Sequence, residues 1–106
     1  MINQVVSVAV DSAGNVYVAN GNAGGATPSI LEFSAGSTGN IAPMRTISGS
    51  ATMLSVPRNL SVDGAGNIYV LNDLNILKFS PRAMGNAAPT STMSSTFFEN
   101  SNIAVQ

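Results

Sequence analysis

The chain has 106 residues, enough for one compact domain and too few for two. Only 8% of them are charged, against roughly 25% in a typical soluble domain, and the net charge is −1, so the polar surface must come from Ser, Thr, Asn and Gly and there is no basic footprint for a nucleic-acid backbone. Cys and His are both absent, which excludes a disulfide framework and thiolate or imidazole metal sites, and no apolar stretch approaches the ~20 residues that span a bilayer.

The opening Met1-Ile2-Asn3-Gln4 carries neither a basic nor a long apolar region, so no signal peptide is expected. Residues 5–10 read as a strand in which small Ser7 and Ala9 alternate with Val8 and Val10. Asp11-Ser12-Ala13-Gly14-Asn15 reads as a tight turn, the Asp carboxylate accepting from turn amides and Gly relieving a positive φ. A second strand, 15–20, follows. Its Val16-Tyr17-Val18-Ala19 is apolar at every position, so both faces of the sheet need cover. Residues 21–29 form a loop, 30–34 a third strand and 44–48 a fourth, with Gly39-Asn40-Ile41-Ala42-Pro43 between the last two.

After a connection at 49–58 the whole order recurs. Val8 to Asn20 returns as Leu60-Ser61-Val62-Asp63-Gly64-Ala65-Gly66-Asn67-Ile68-Tyr69-Val70-Leu71-Asn72, and the interval from Asp11 to Asp63 is 52 residues. Ile30-Leu31-Glu32-Phe33-Ser34 returns as Ile76-Leu77-Lys78-Phe79-Ser80, and from Pro43 to Pro89 the interval is 46. The first copy therefore holds an insertion at 21–29, where the second has only Asp73-Leu74-Asn75. The second set of strands is expected at 59–62, 67–72, 76–80 and 90–94, although Thr90-Ser91-Thr92-Met93-Ser94 departs from Met44-Arg45-Thr46-Ile47-Ser48. Runs this short, rich in Val, Ile, Tyr, Phe and Thr and separated by Gly, Asn, Pro and Ser, call for no helix. Asn102-Ile103-Ala104-Val105 repeats the first strand once more, without the turn that should follow.

The expectation is an all-β chain of two four-stranded antiparallel units, 1–54 and 55–101, with 102–106 the first strand of a further unit or a clasp on a neighbour. Four-stranded sheets stacked radially between like sheets make a β-propeller, and its crowded innermost strand favours small residues such as Ser7, Ala9 and Ser61.

Val62-Asp63 through Gly66-Asn67-Ile68-Tyr69-Val70, then Ile76-x-x-Phe79, with the Gly-Asn-x-Ala-Pro-x-Arg-Thr-Ile-x-Gly stretch at 39–49, resembles the NHL-type repeats of bacterial six-bladed propellers over essentially the whole chain. The resemblance implies binding of a protein, a carbohydrate or another ligand on one face of the disc, and an extracellular or periplasmic setting. It selects no ligand.

Two blades cannot close a ring, so each end should present an apolar face, and the two ends are complementary sides of one blade-to-blade contact. A C3 homotrimer of six blades is expected, with an eight-bladed tetramer as competitor; a chain cut from a longer array would instead close its own ring. Glu32 and Lys78 occupy equivalent positions, to be read as a pair meeting across blades or as two solvated rim residues.

The connections at 21–29, 49–58 and 95–102 share one end of the disc, and irregular loops on a rigid scaffold are where binding resides. The candidate site is therefore Asn20, Asn22, Arg58, Asn59, Asn72 and Asp73. No catalytic residue, metal or cofactor is expected. A metal-dependent propeller hydrolase or lactonase would need a convergent Glu, Asp and Asn cluster at the axis. A serine nucleophile lacks a His partner. A lectin would need exposed rings, whereas Tyr17 and Tyr69 are both expected to be buried in the second strand of their copy.

Overall fold

A computed structural model describes residues 5–21, 25, 27–39, 41–73 and 75–94. They form eight strands: β1 (Val5–Val10), β2 (Val16–Asn20), β3 (Ser29–Phe33), β4 (Arg45–Ser48), β5 (Pro57–Val62), β6 (Ile68–Asn72), β7 (Asn75–Phe79) and β8 (Ser91–Ser94). These make two four-stranded antiparallel sheets, β1-β2-β3-β4 and β5-β6-β7-β8, each a simple meander. All eight expected strands are present, their ends within two residues of the expected ones and those of β1 unchanged. β5 begins at Pro57, where the absent N–H is tolerated because Pro opens the strand. A short 3-10 turn, Ser50–Thr52, was not expected; it buries Thr52, whose hydroxyl donates to the Gly49 carbonyl and accepts from the Leu54 amide.

The repeat extends to irregularities. The β1–β2 ladder shifts register between Val5 and Ser7, and the β5–β6 ladder shifts between Pro57 and Asn59. Gly14 and Gly66, at equivalent places in the two β-turns, have φ of 90° and 91°.

Register fixes which side chains share a face. In the first sheet Ala9, Tyr17 and Glu32 lie in one row, and Ser7, Ala19 and Ile30 in the next. In the second, Leu60, Val70 and Leu77 form a row, as do Val62, Ile68 and Phe79. One core joins Tyr17, Ala19, Ile30 and Ile47 of the first sheet to Leu60, Ile68, Val70, Leu77 and Phe79 of the second, with Ala83 from the loop after β7. Burying each of the larger aliphatic side chains contributes about 1.5–3 kcal/mol.

The two sheets therefore stack in the same sense. The inward residues of the second sheet, Leu60, Val62, Val70 and Leu77, are the repeat equivalents of Val8, Val10, Val18 and Leu31, which lie on the opposite side of the first sheet from its inward residues. Conversely, inward Tyr17, Ala19, Ile30 and Ile47 are equivalent to Tyr69, Leu71, Ile76 and Met93, on the far side of the second sheet. One open face presents Val8 and Val10, 55% and 59% exposed, beside buried Val18 and Leu31; the other presents Met93, 57% exposed, beside buried Leu71.

Candidate binding face and the polar joints between sheets

Of the six residues expected to form a binding face, Asn20 and Asn72 are buried and Asn59 bonds across the two innermost strands. Asn72 ends β6 as a buried peg. Its Oδ1 accepts from the amides of Ser55 (2.9 Å) and Val56 (3.1 Å), and its Nδ2 donates to the Met53 carbonyl (3.0 Å) and the Ser55 hydroxyl (3.3 Å). Both lone pairs and both protons of the amide are thereby engaged, so Asn72 holds the connection into β5 and has no hydrogen-bonding capacity left for a ligand. Asn20, its equivalent at the end of β2, is likewise buried. Asn59 ties the two innermost strands together, its Oδ1 accepting from the Ser7 hydroxyl at 2.9 Å and from the Leu60 amide at 2.9 Å.

Arg58 and Asp73 do meet at the expected end, 3.6 Å apart, with side chains 49% and 58% exposed. Asp73 adopts a left-handed φ of 55° and its amide donates to the Val56 carbonyl at 2.8 Å, so the turn aims its carboxylate at Arg58. Asn22 lies outside the described residues.

At the opposite end the two Asp residues are consumed by their own turns. Asp11 Oδ1 accepts from the amides of Ala13 and Asn15, each at 2.9 Å, while Oδ2 accepts from Asn15 Nδ2 (3.1 Å) and the Tyr17 hydroxyl (3.0 Å). Asp63 repeats the pattern with Ala65, Asn67 and Tyr69 at 2.9–3.2 Å. Desolvation opposes ionisation of Asp11, but the side-chain and backbone hydrogen bonds from Asn15, with those from Tyr17 and Ala13, outweigh it and hold the carboxyl below its usual range. For Asp63 the Asn67 side chain leads in the same direction, against a desolvation penalty. Burial, the bond to Asp11 and the nearby Glu32 charge push the Tyr17 hydroxyl well above the ordinary phenol range.

The joint missed in the sequence is Arg45. It faces Glu32 across β3 and β4, with Nε 2.8 Å from Glu32 Oε1, and both side chains are about nine-tenths buried. Its Nη1 donates to the carbonyls of Pro81 and Ala83 (3.1 Å for the latter) in the loop after β7, and the guanidinium lies 5.9 Å from the centre of the Tyr17 ring. This corrects both expectations for Glu32. It is not a solvated rim residue, and its carboxylate is held by Arg45 of its own sheet. Lys78, its equivalent, lies over Tyr69 with Nζ 5.8 Å from the ring centre. The pair was hidden because Glu32 and Arg45 are adjacent only once β3 and β4 are set in register.

A second joint runs along β4. Gly85 donates to the Thr46 carbonyl (2.7 Å) and accepts from the Ser48 amide (2.9 Å), making a parallel bridge opposite Ile47, while Asn86 Oδ1 accepts from the Ala51 amide at 2.7 Å.

Among the described residues, no three of His, Cys, Asp and Glu come together. Among the described residues, the rings of Tyr17 and Phe79 are buried, and those of Phe33 and Tyr69 are half-buried, the latter beneath Lys78. Compared with protein families and with curated protein sequences, the chain matches none.

Proposed function

We propose that the chain supplies two adjacent blades of an NHL-like β-propeller, a binding or scaffold module without catalytic activity, whose open faces are covered by copies of the same chain. The observation that carries this reading is the like-sense stacking of the two sheets. In a sandwich closed on itself, equivalent faces meet and the apolar surface is used up. Here non-equivalent faces meet, so the surfaces left at the two ends are the same complementary pair that makes the internal contact. Such a contact is head-to-tail, and it ends only when the rotation closes. Six blades, the number the NHL resemblance implies, require three chains in C3 symmetry; eight would require four. Small Ser7, Ala9 and Ser61 on the inner strands suit the crowding near an axis.

The engagement of the described carboxylates supports the non-catalytic reading. Asp11 and Asp63 are spent on turn amides, Glu32 on Arg45, and Asp73 faces Arg58. Exposed Arg58 and Asp73 are the binding groups of the loop face, suited to a polar protein or carbohydrate ligand.

Light scattering with chromatographic separation tests the assembly. The expected result is one species of three chain masses at high concentration. A monomer at every concentration contradicts closure by copies of the chain.

A further inference from the structure

We infer that Lys78 is the cation of a second inter-sheet clamp, received by the main-chain carbonyls of Ala35 and Ser37 of a neighbouring copy. This rests on the head-to-tail assembly proposed above and names the polar contact that seals it.

Within the chain, Arg45 is the cation that crosses from one sheet to the next. Its guanidinium sits 5.9 Å from the centre of the Tyr17 ring and donates to the carbonyls of Pro81 and Ala83. Tyr69 is the repeat equivalent of Tyr17, and its ring is fixed in the same frame because its hydroxyl donates to Asp63 as Tyr17 donates to Asp11. Over that second ring, at 5.8 Å, lies the ammonium of Lys78. The sequence pattern concealed this equivalence, because the residue aligned with Arg45 is Ser91; the cation is supplied from β7 instead of from the outer strand. Both cations thus stand on the same side of equivalent sheets, Arg45 against the internal contact and Lys78 on the open face.

The acceptors are duplicated as well. Pro81 and Ala83 align with Ala35 and Ser37 in the loop after β3. The two loops share their turn: the Ala83 amide donates to the Ser80 carbonyl at 3.1 Å, and the Ser37 amide donates to the Ser34 carbonyl at 3.1 Å. They also rest alike on the preceding β-turn, since a Cβ placed on Gly66 would lie 3.3 Å from Pro81 Cβ and one on Gly14 would lie 3.3 Å from Ala35 Cβ. Packing a second chain's first sheet against the open face of this second sheet, in the geometry of the internal contact, brings its Ala35 and Ser37 carbonyls to the Lys78 ammonium. Lys78 stands where Glu32 stands in the first sheet, so the intermolecular clamp has no carboxylate and its cation is held by carbonyls and a ring alone.

The test compares Lys78→Met, Lys78→Gln and Lys78→Arg in the full chain, following mass against dilution by sedimentation, with circular dichroism as the check on folding. The Met and Gln variants keep the stem and drop the charge. They should dissociate at chain concentrations at least about tenfold higher, the loss of one or two charge-assisted bonds per contact. Lys78→Arg should assemble at least as tightly as the parent. If the parent assembles and the Met and Gln variants dissociate at the same concentration, the role of Lys78 falls while the assembly stands. If the parent never assembles, both fall.

Discussion

Arg45 Nε lies 2.8 Å from Glu32 Oε1 within the first sheet, and the same guanidinium donates to two carbonyls of the second. This residue is therefore both a neutraliser of a buried carboxylate and a bolt between sheets. Removing one member of a buried pair leaves the other charge uncompensated, which costs about 3–5 kcal/mol, whereas replacing both with apolar groups is often near neutral. Arg45→Met should lower stability more than Glu32→Met, because it also breaks the link to the second sheet and strands the part-buried Ala83 carbonyl. The double variant Glu32→Met with Arg45→Met should recover part of the loss. Urea unfolding at one fixed chain concentration measures all three, and equal losses for the two single variants would contradict the bolt.

Asn72→Ala should destabilise the chain by about 1–3 kcal/mol, since it removes the buried side chain whose part-buried bonds hold the Ser55 and Val56 amides and the Met53 carbonyl. Limited proteolysis should then cut first within that connection. A ligand-binding role without a structural one would leave both stability and cleavage unchanged.

Acid should weaken the fold through Asp11 and Asp63. Both carboxyls titrate lower in the folded chain than in the unfolded one, so their contribution is complete above the unfolded-state value, about 4, and is lost as pH falls from there through the lowered folded values. Replacing both with Asn should reduce stability at neutral pH and flatten the acid limb of a thermal-melt series. An acid limb of unchanged steepness would show that other groups carry it.

Gly49 takes a φ of 126°, and a Cβ there would press into the Asn86 side chain, within 2.9 Å of its own Cβ. Gly49→Ala should cost about 1–3 kcal/mol through overpacking, with backbone strain in addition. Gly64 has open space around it and aligns with Ser12 in the other copy, so Gly64→Ala should be neutral or stabilise by up to about 1 kcal/mol. Paired thermal melts decide the contrast.

What could be read from the chain and what could not divides along a physical line. Strands and turns follow from local chemistry: the apolar run Val16 to Ala19 and the Asp-Gly-Asn turn each announce themselves, and their recurrence 52 residues on settles the order. The candidate site was less legible because Asn is ambiguous. An Asn at a strand end suits a ligand as well as it suits a connection, and only the burial of Asn72 and its four bonds separate the two. Arg45 and Glu32 were opaque for a different reason. Their pairing depends on the register between β3 and β4 and on a loop from the other sheet, neither of which has a local signature.

A crystal structure of the assembled chain tests the central claim most directly. Val8 and Val10 of one copy should lie covered by the face that carries Met93 and Lys78 of the next, with successive sheets stepping around a single axis until six close the ring. Like faces meeting across a two-fold axis, Val8 against Val8, or open faces left in solvent, would contradict it.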